Sequence, residues 1–214
     1  LLNNGAARVR FCRKRFGMDY ASFKAKISSF TPAERKHYTE NIITELSKSA
    51  ELKGKYEIDV YSYPARECFE LFVPDFAPLQ DGLMLVDIPL LITDISGADS
   101  EYRDLPLLRP ESNRKQVDIT FELPENMQRI ISRPLNSRRV KIPQAGLINC
   151  KYVQKDQNTL HFSQKGELKP MILLPCQYPQ LLKIQNELAR PENTTLVLEM
   201  EQNLSDQAIP LILN

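Results

Sequence analysis

The sequence predicts an α+β chain that is mainly β, built of antiparallel, sandwich-like sheets with a helical pair near the N-terminus and one short helix near the C-terminus. Three observations predict it. Apolar and polar residues alternate with period two over many short stretches, the signature of half-buried strands. Thr31-Pro32-Ala33-Glu34 is a helix-start signal ahead of residues spaced at three and four. Strands do not alternate regularly with helices, which disfavours a parallel, doubly wound sheet.

The elements follow in order. In residues 7–16, Val9 and Phe11 alternate with Arg8, Arg10 and Cys12, which predicts an extended segment. Asp19 is the expected cap of a first helix whose Tyr20, Phe23 and Ile27 share one face, ending near Phe30. Thr31 starts the second helix, with Tyr38, Ile42 and Leu46 buried and Arg35, Glu45 and Lys48 wet. After Gly54 the period changes: Tyr56, Ile58 and Val60 point one way, and Phe69, Leu71 and Val73 repeat the pattern. Prolines 74, 78, 89, 106 and 110 limit what lies between them to short or edge strands, one of them at Leu83 to Ile88.

From Lys115, the residues Val117, Ile119, Phe121 and Leu123 face inward, and Gln116, Asp118, Thr120 and Glu122 outward. Further strands are expected at 138–142, 147–153, 159–163, 170–174 and 194–200, with a helix from Pro179 to Ala189 that buries Leu181, Ile184 and Leu188. Two domain divisions fit these elements. Either residues 1–214 form one β-rich unit with the helical pair at about 19–50, or a strand–helix–helix–strand lobe at 1–107 precedes a β-sandwich lobe at 108–202.

The chain has 214 residues, with 28 Lys and Arg against 27 Asp and Glu and a formal charge of +1. That balance argues against a nucleic-acid binder, which carries a basic excess to displace counterions. The most apolar stretch, Leu83 to Ile92, is broken by Asp87 and Pro89 and is too short for a membrane span of about 20 residues. Leu1 is not a natural start, so the chain is expected to be excised from something longer, with any targeting signal outside it. Cys12, Cys68, Cys150 and Cys176 are too scattered for a disulfide scaffold and are expected to be reduced and buried, although three pairings remain open.

No catalytic, cofactor-binding or metal-binding residue is predicted. Zinc is rejected because no CxxC, HxxxH or HExxH occurs. Asp94 to Glu101 lacks calcium-loop spacing and reads as a solvated turn, and no Gly-rich phosphate loop or GxSxG elbow is present. His37 reads as a surface or boundary histidine. Cys150 and His161 share a predicted hairpin. Pairing Val153 with Thr159 places Ile148, Cys150, Tyr152, Leu160 and Phe162 on one apolar face and Asn149, Lys151, His161 and Ser163 on the other, which separates thiol from imidazole.

The dense basic run of Arg8, Arg10, Arg13, Lys14 and Arg15 offers a site for an anionic ligand, a glycan or a peptide. The blander reading is a charged strand edge that discourages aggregation, with Glu67, Glu70 and Asp75 as neighbours. Asn193-Thr194-Thr195 and Asn203-Leu204-Ser205 match the glycosylation sequon.

Asn4-Gly5, Gly17, Thr31 to Arg35, Arg109-Pro110, Phe121-Glu122-Leu123-Pro124, Pro134 and Tyr178-Pro179-Gln180-Leu181-Leu182 fall in an order that resembles the carboxy-terminal part of bacterial transglutaminase-like proteins. The resemblance implies a β-rich accessory domain of unknown function that follows a papain-like core, in proteins often exported by Bacteroides-like organisms. It therefore implies the core as partner and a periplasmic or extracellular location. The family's catalytic cysteine, histidine and aspartate belong to the core, so no catalytic residue carries over and a non-enzymatic fragment is expected.

Overall fold

The computed structural model describes residues 1–95, 102–134 and 138–201. Strand accounts for 45% and helix for 24% of the structure, so the chain is mainly β, with several antiparallel sheets and few helices. It divides into two compact units, residues 1–78 and 79–214. Part of the acidic stretch, 96–101, and the sequon at Asn203 lie outside the described residues, as does the C-terminal tail from 202.

The first unit contains β1 (Ala7–Arg15), α1 (Gly17–Ser29), α2 (Pro32–Leu46), β2 (Glu51–Asp59) and β3 (Ala65–Val73). Its sheet has the order β1-β3-β2, with β3 antiparallel to both neighbours. One face carries Val9, Phe11, Phe69, Leu71, Val73 and Tyr56, which pack with Tyr38, Ile42, Ile43 and Leu46 of α2. Phe23 and Ile27 of α1 pack with Val60 and Ala65. Phe11, Phe69 and Tyr56 form an aromatic ladder across the three strands, with ring centroids 4.8 Å apart at each step.

The expected capping box is present: Glu34 N donates to Thr31 Oγ1 at 3.3 Å, and Thr31 N donates to Glu34 Oε2 at 2.7 Å. The first helix differs from expectation. It begins at Gly17, behind Phe16 in extended conformation, and Asp19 is not its cap. Arg15 holds the Asp19 carboxylate instead, at 3.2 Å. Strand β2 also starts before Gly54, at Glu51, and its register with β3 shifts between Lys53 and Glu57. Gly5 has a close-packing role, because a Cβ there would lie 2.1 Å from Ala77 O. Its own carbonyl accepts Ala77 N–H at 2.9 Å, joining the two ends of the unit.

The second unit contains β4 (Leu79–Gln80), β5 (Leu83–Asp87), β6 (Leu107–Arg109), β7 (Asn113–Glu122), β8 (Met127–Ser132), β9 (Arg138–Ile142), β10 (Gly146–Gln154), β11 (Thr159–Leu168) and β12 (Met171–Leu173). A 3-10 turn at Pro175–Gln177, α3 (Tyr178–Leu188), a single helical turn α4 (Pro191–Thr194) and β13 (Thr195–Met200) complete it. The sheets have the orders β7-β11-β10-β9, β4-β5-β13-β8 and β12-β6. Val117, Ile148 and Cys150 of the first sheet pack in one core with Ile92, Met171, Leu173 and the α3 residues Tyr178, Leu181 and Leu188. Met84, Val86, Leu196 and Leu198 of the second are also buried.

Strand β8 has no period-two pattern of its own, because Arg129, Ile130 and Ile131 break the alternation; pairing with β13, through two register irregularities, makes it a strand. The hairpin β10–β11 is displaced by two residues from the expected register: Val153 pairs with His161 rather than Thr159. Asp156 Oδ1 accepts Asn158 N–H at 2.9 Å, and this side-chain turn fixes a shorter loop position than periodicity alone reveals. A shift of two preserves every face, so the predicted facing of side chains holds.

Gln164 is 1% exposed in this core, at a position otherwise reserved for apolar side chains. Its Oε1 accepts Ile92 N–H at 2.6 Å and its Nε2 donates to Ile92 O at 3.2 Å, replacing a strand partner for that peptide. Gly166 leaves the space for Ile92, whose Cδ1 lies 2.9 Å from where a Cβ would be. Replacing Gln164 with Leu is expected to leave both Ile92 groups unpaired in an apolar core and cost about 3 kcal/mol of stability. Urea denaturation of the Gln164→Leu variant measures this.

Candidate functional site

Strand alternation divides the basic run in two. Arg13 and Arg15 share the parity of Val9 and Phe11 and turn toward the helices, whereas Arg8, Arg10 and Lys14 turn to the outward face of the sheet. Facing pairs place Phe72 opposite Arg8, Glu70 opposite Arg10, Cys68 opposite Cys12 and Arg66 opposite Lys14. Arg8, Arg10, Lys53, Glu70 and Phe72 line an open depression of about 580 Å³. The Arg10–Glu70 pair spans 4.0 Å with both side chains mostly exposed, which makes it a weak restraint on that surface. Asp75, the other expected neighbour, accepts a hydrogen bond from Ser49 Oγ instead.

On the inward side, Glu67 has no exposed surface. A lone carboxylate there would be strongly disfavoured, and four side chains compensate it. Oε1 accepts from Arg15 Nη2 at 2.9 Å and lies 3.5 Å from Arg13 Nε. Oε2 accepts the hydroxyls of Tyr38 and Tyr56, each at 3.0 Å. The cations stack on aromatic rings, Arg15 4.4 Å from the Phe23 centroid and Arg13 5.2 Å from that of Phe11. Burial works against the Arg15 guanidinium, but Glu67 and Asp19 outweigh it and keep it charged above its ordinary range.

Burial and the Glu67 charge push Tyr38 up to about 12, and the same two causes raise Tyr56 still further. Both phenols therefore stay protonated and donate. The sequence carried a signal for this cluster: Glu67 occupies an inward position in a strand whose Ala65, Phe69, Leu71 and Val73 are buried. Which side chains would reach it was not readable, because Arg15, Tyr38 and Tyr56 come from three other elements.

Two of the cysteines are not reduced. Cys12 and Cys68 form a disulfide between directly opposed residues of β1 and β3, with Cα atoms 4.2 Å apart. Strand pairing brings them together, a relation invisible across 56 residues of sequence. Cys150 is free and buried, as expected, whereas Cys176 is free and exposed.

Cys150 and His161 lie on opposite faces of their sheet, with Cys150 against Gln164 in the core. Burial pushes the Cys150 thiol up, away from thiolate. His161 faces Asp118 at 3.9 Å and Thr120 at 3.2 Å on the opposite side. His37 lies on the exposed side of α2, 3.3 Å from Asn41. Among the described residues, no three His, Cys, Asp or Glu side chains converge as a metal-ligand set, and no helix is long and apolar enough to cross a membrane.

The geometry defines two β-rich units, the first of which carries an outward surface of mixed charge around an open depression and a buried ionic cluster on its inward side. The chain belongs to the family described as a domain of unknown function with a solved structure, DUF3858, which matches residues 83–198, within the second unit. That match gives no link to transglutaminase-like proteins. No curated protein and no solved structure matches the chain.

Replacing Glu67 with Gln is expected to strand two half-buried guanidinium groups and cost about 3 kcal/mol, read from urea denaturation. Tyr38 yields a pH dependence. Its folded-state value lies above the ordinary 10, so its contribution is complete below pH 10 and is lost as the pH rises toward about 12. Stability measured between pH 9 and 12 is expected to fall less steeply in Tyr38→Phe than in the wild type.

Proposed function

We propose that the chain is a non-catalytic accessory unit of a larger polypeptide. The observation that carries this reading is the separation of Cys150 and His161 onto opposite faces of one sheet, with the thiol buried and held protonated. A small cysteine hydrolase would require them on the same side. The transglutaminase-like neighbour and the export of the protein rest on the sequence resemblance. The Cys12–Cys68 disulfide supports export, because such bonds persist in oxidising compartments. The sandwich arrangement belongs to the same reading and is supported by buried inner faces on both four-stranded sheets of the second unit, Phe121, Leu160 and Phe162 on one and Met84, Val86 and Leu198 on the other. Peptidase and transglutaminase assays are expected to give no turnover; turnover abolished by Cys150→Ala overturns the reading.

A second reading is favoured by the outward face of the first unit. There Arg8, Arg10 and Lys53 border a depression beside the Phe72 ring, a combination suited to an anionic glycan or peptide with an apolar part. Calorimetry with a sulfated oligosaccharide and with an acidic peptide is expected to detect binding that weakens with salt and drops about tenfold, about 1.4 kcal/mol, in Arg10→Gln/Lys14→Gln. Salt-independent binding, or binding untouched by these substitutions, removes it.

A further inference from the structure

We propose that the Cys12–Cys68 disulfide is a thiol–disulfide exchange site, attacked at Cys12 by a small thiol or dithiol, with Cys68 leaving as a thiolate held by Arg66. This goes beyond both functional readings and depends on neither. The bond sits on the outward face of the first unit's sheet, on the side away from α1 and α2. Cys12 is exposed, while Cys68 is only 8% exposed. A nucleophile therefore reaches Cys12 Sγ, and the sheltered sulfur is the leaving group.

The leaving sulfur has a cation waiting for it. Arg66, two residues before Cys68 on the same face of β3, donates from Nε to Cys68 Sγ at 2.9 Å, and its Nη2 lies 3.8 Å from Cys12 Sγ. A guanidinium hydrogen-bonded to sulfur stabilises the thiolate more than the disulfide, which makes Cys68 a better leaving group. Arg10 and Lys14 flank Cys12 on the same face, where they favour the approach of an anionic thiolate. Four carboxylates share that face. Glu51 pairs with Lys53 at 2.8 Å, Glu70 faces Arg10, and Asp59, opposite Arg66, accepts the Tyr61 and Ser62 N–H groups, which leaves Glu57, opposite Cys68, to work against Arg66.

The fold tolerates the reaction. Strands β1 and β3 are paired over their full lengths, from Ala7 with Val73 to Arg15 with Ala65, so breaking the bond leaves the ladder in place. In the first step a thiolate RS⁻ bonds to Cys12 Sγ, the Cys12–Cys68 bond breaks and its electron pair leaves on Cys68 Sγ. A second thiolate, or the other end of a dithiol, then attacks the R sulfur of the mixed disulfide and releases the Cys12 thiolate. Two RSH become one RSSR, and the protein gains two electrons and two protons as two thiols.

The test mixes the oxidised, folded protein with increasing reduced glutathione or dithiothreitol, quenches by alkylation and locates the labels by peptide mass. The expected rate is first order in thiol, the glutathione adduct sits on Cys12, and Arg66→Gln slows reduction about threefold to tenfold, with Arg66→Lys between the two. Arg66 is exposed, and circular dichroism checks that both variants are folded. Four results overturn the proposal: a rate that plateaus with thiol concentration, as when unfolding limits access; an adduct on Cys68; an Arg66→Gln rate equal to that of the wild type; or Cys12 and Cys68 found unpaired in the air-oxidised protein, in which Cys150 and Cys176 are free in any case.

Discussion

The burial of the Glu67 carboxylate is the constraint around which the first unit is arranged. A charge without solvent must be surrounded by donors, and here these come from every neighbouring layer: Arg13 and Arg15 from β1, Tyr38 from α2 and Tyr56 from β2. The two oxygens divide the work, one taking cations and the other phenols. Because the middle strand supplies the carboxylate, a misplaced helix or a slipped edge strand would leave a donor or the anion unpaired. The cluster thus ties strand order and helix docking to one electrostatic requirement, beyond what the aromatic ladder alone specifies.

It also explains why the basic run is not a uniform patch. Two of its five cations are consumed within the fold, and the three left outside share their face with carboxylates, a phenyl ring and a disulfide. Such a surface is amphoteric and chemically varied, so the position of each charge matters more than the net excess. The second unit solves a related problem with a neutral group. Gln164 hydrogen-bonds both sides of the Ile92 peptide, which allows a non-strand segment to lie against a sheet without orphaned backbone groups.

Element types were largely legible. The Thr31 capping box and the alternation through β3, β7 and β10 are local patterns, and local hydrogen bonding and period-two burial suffice to realise them. Asp19 misled because a competing partner, Arg15, took the carboxylate that would have capped α1. In the β10–β11 hairpin, facing was readable and register was not, because periodicity is blind to a shift of two. Strand β8 lacked a pattern of its own and exists through its pairing with β13.

By itself, the sequence determined which residues alternate, where the second helix begins, and that Cys150 and His161 face opposite ways. Each of these depends on neighbours a few positions apart. Only the tertiary structure decided that Cys12 meets Cys68, that Glu67 is closed in by Arg15, Tyr38 and Tyr56, and that Gln164 holds Ile92. Those pairings join distant segments, and chain entropy gives no local sign of which distant strand will supply the partner.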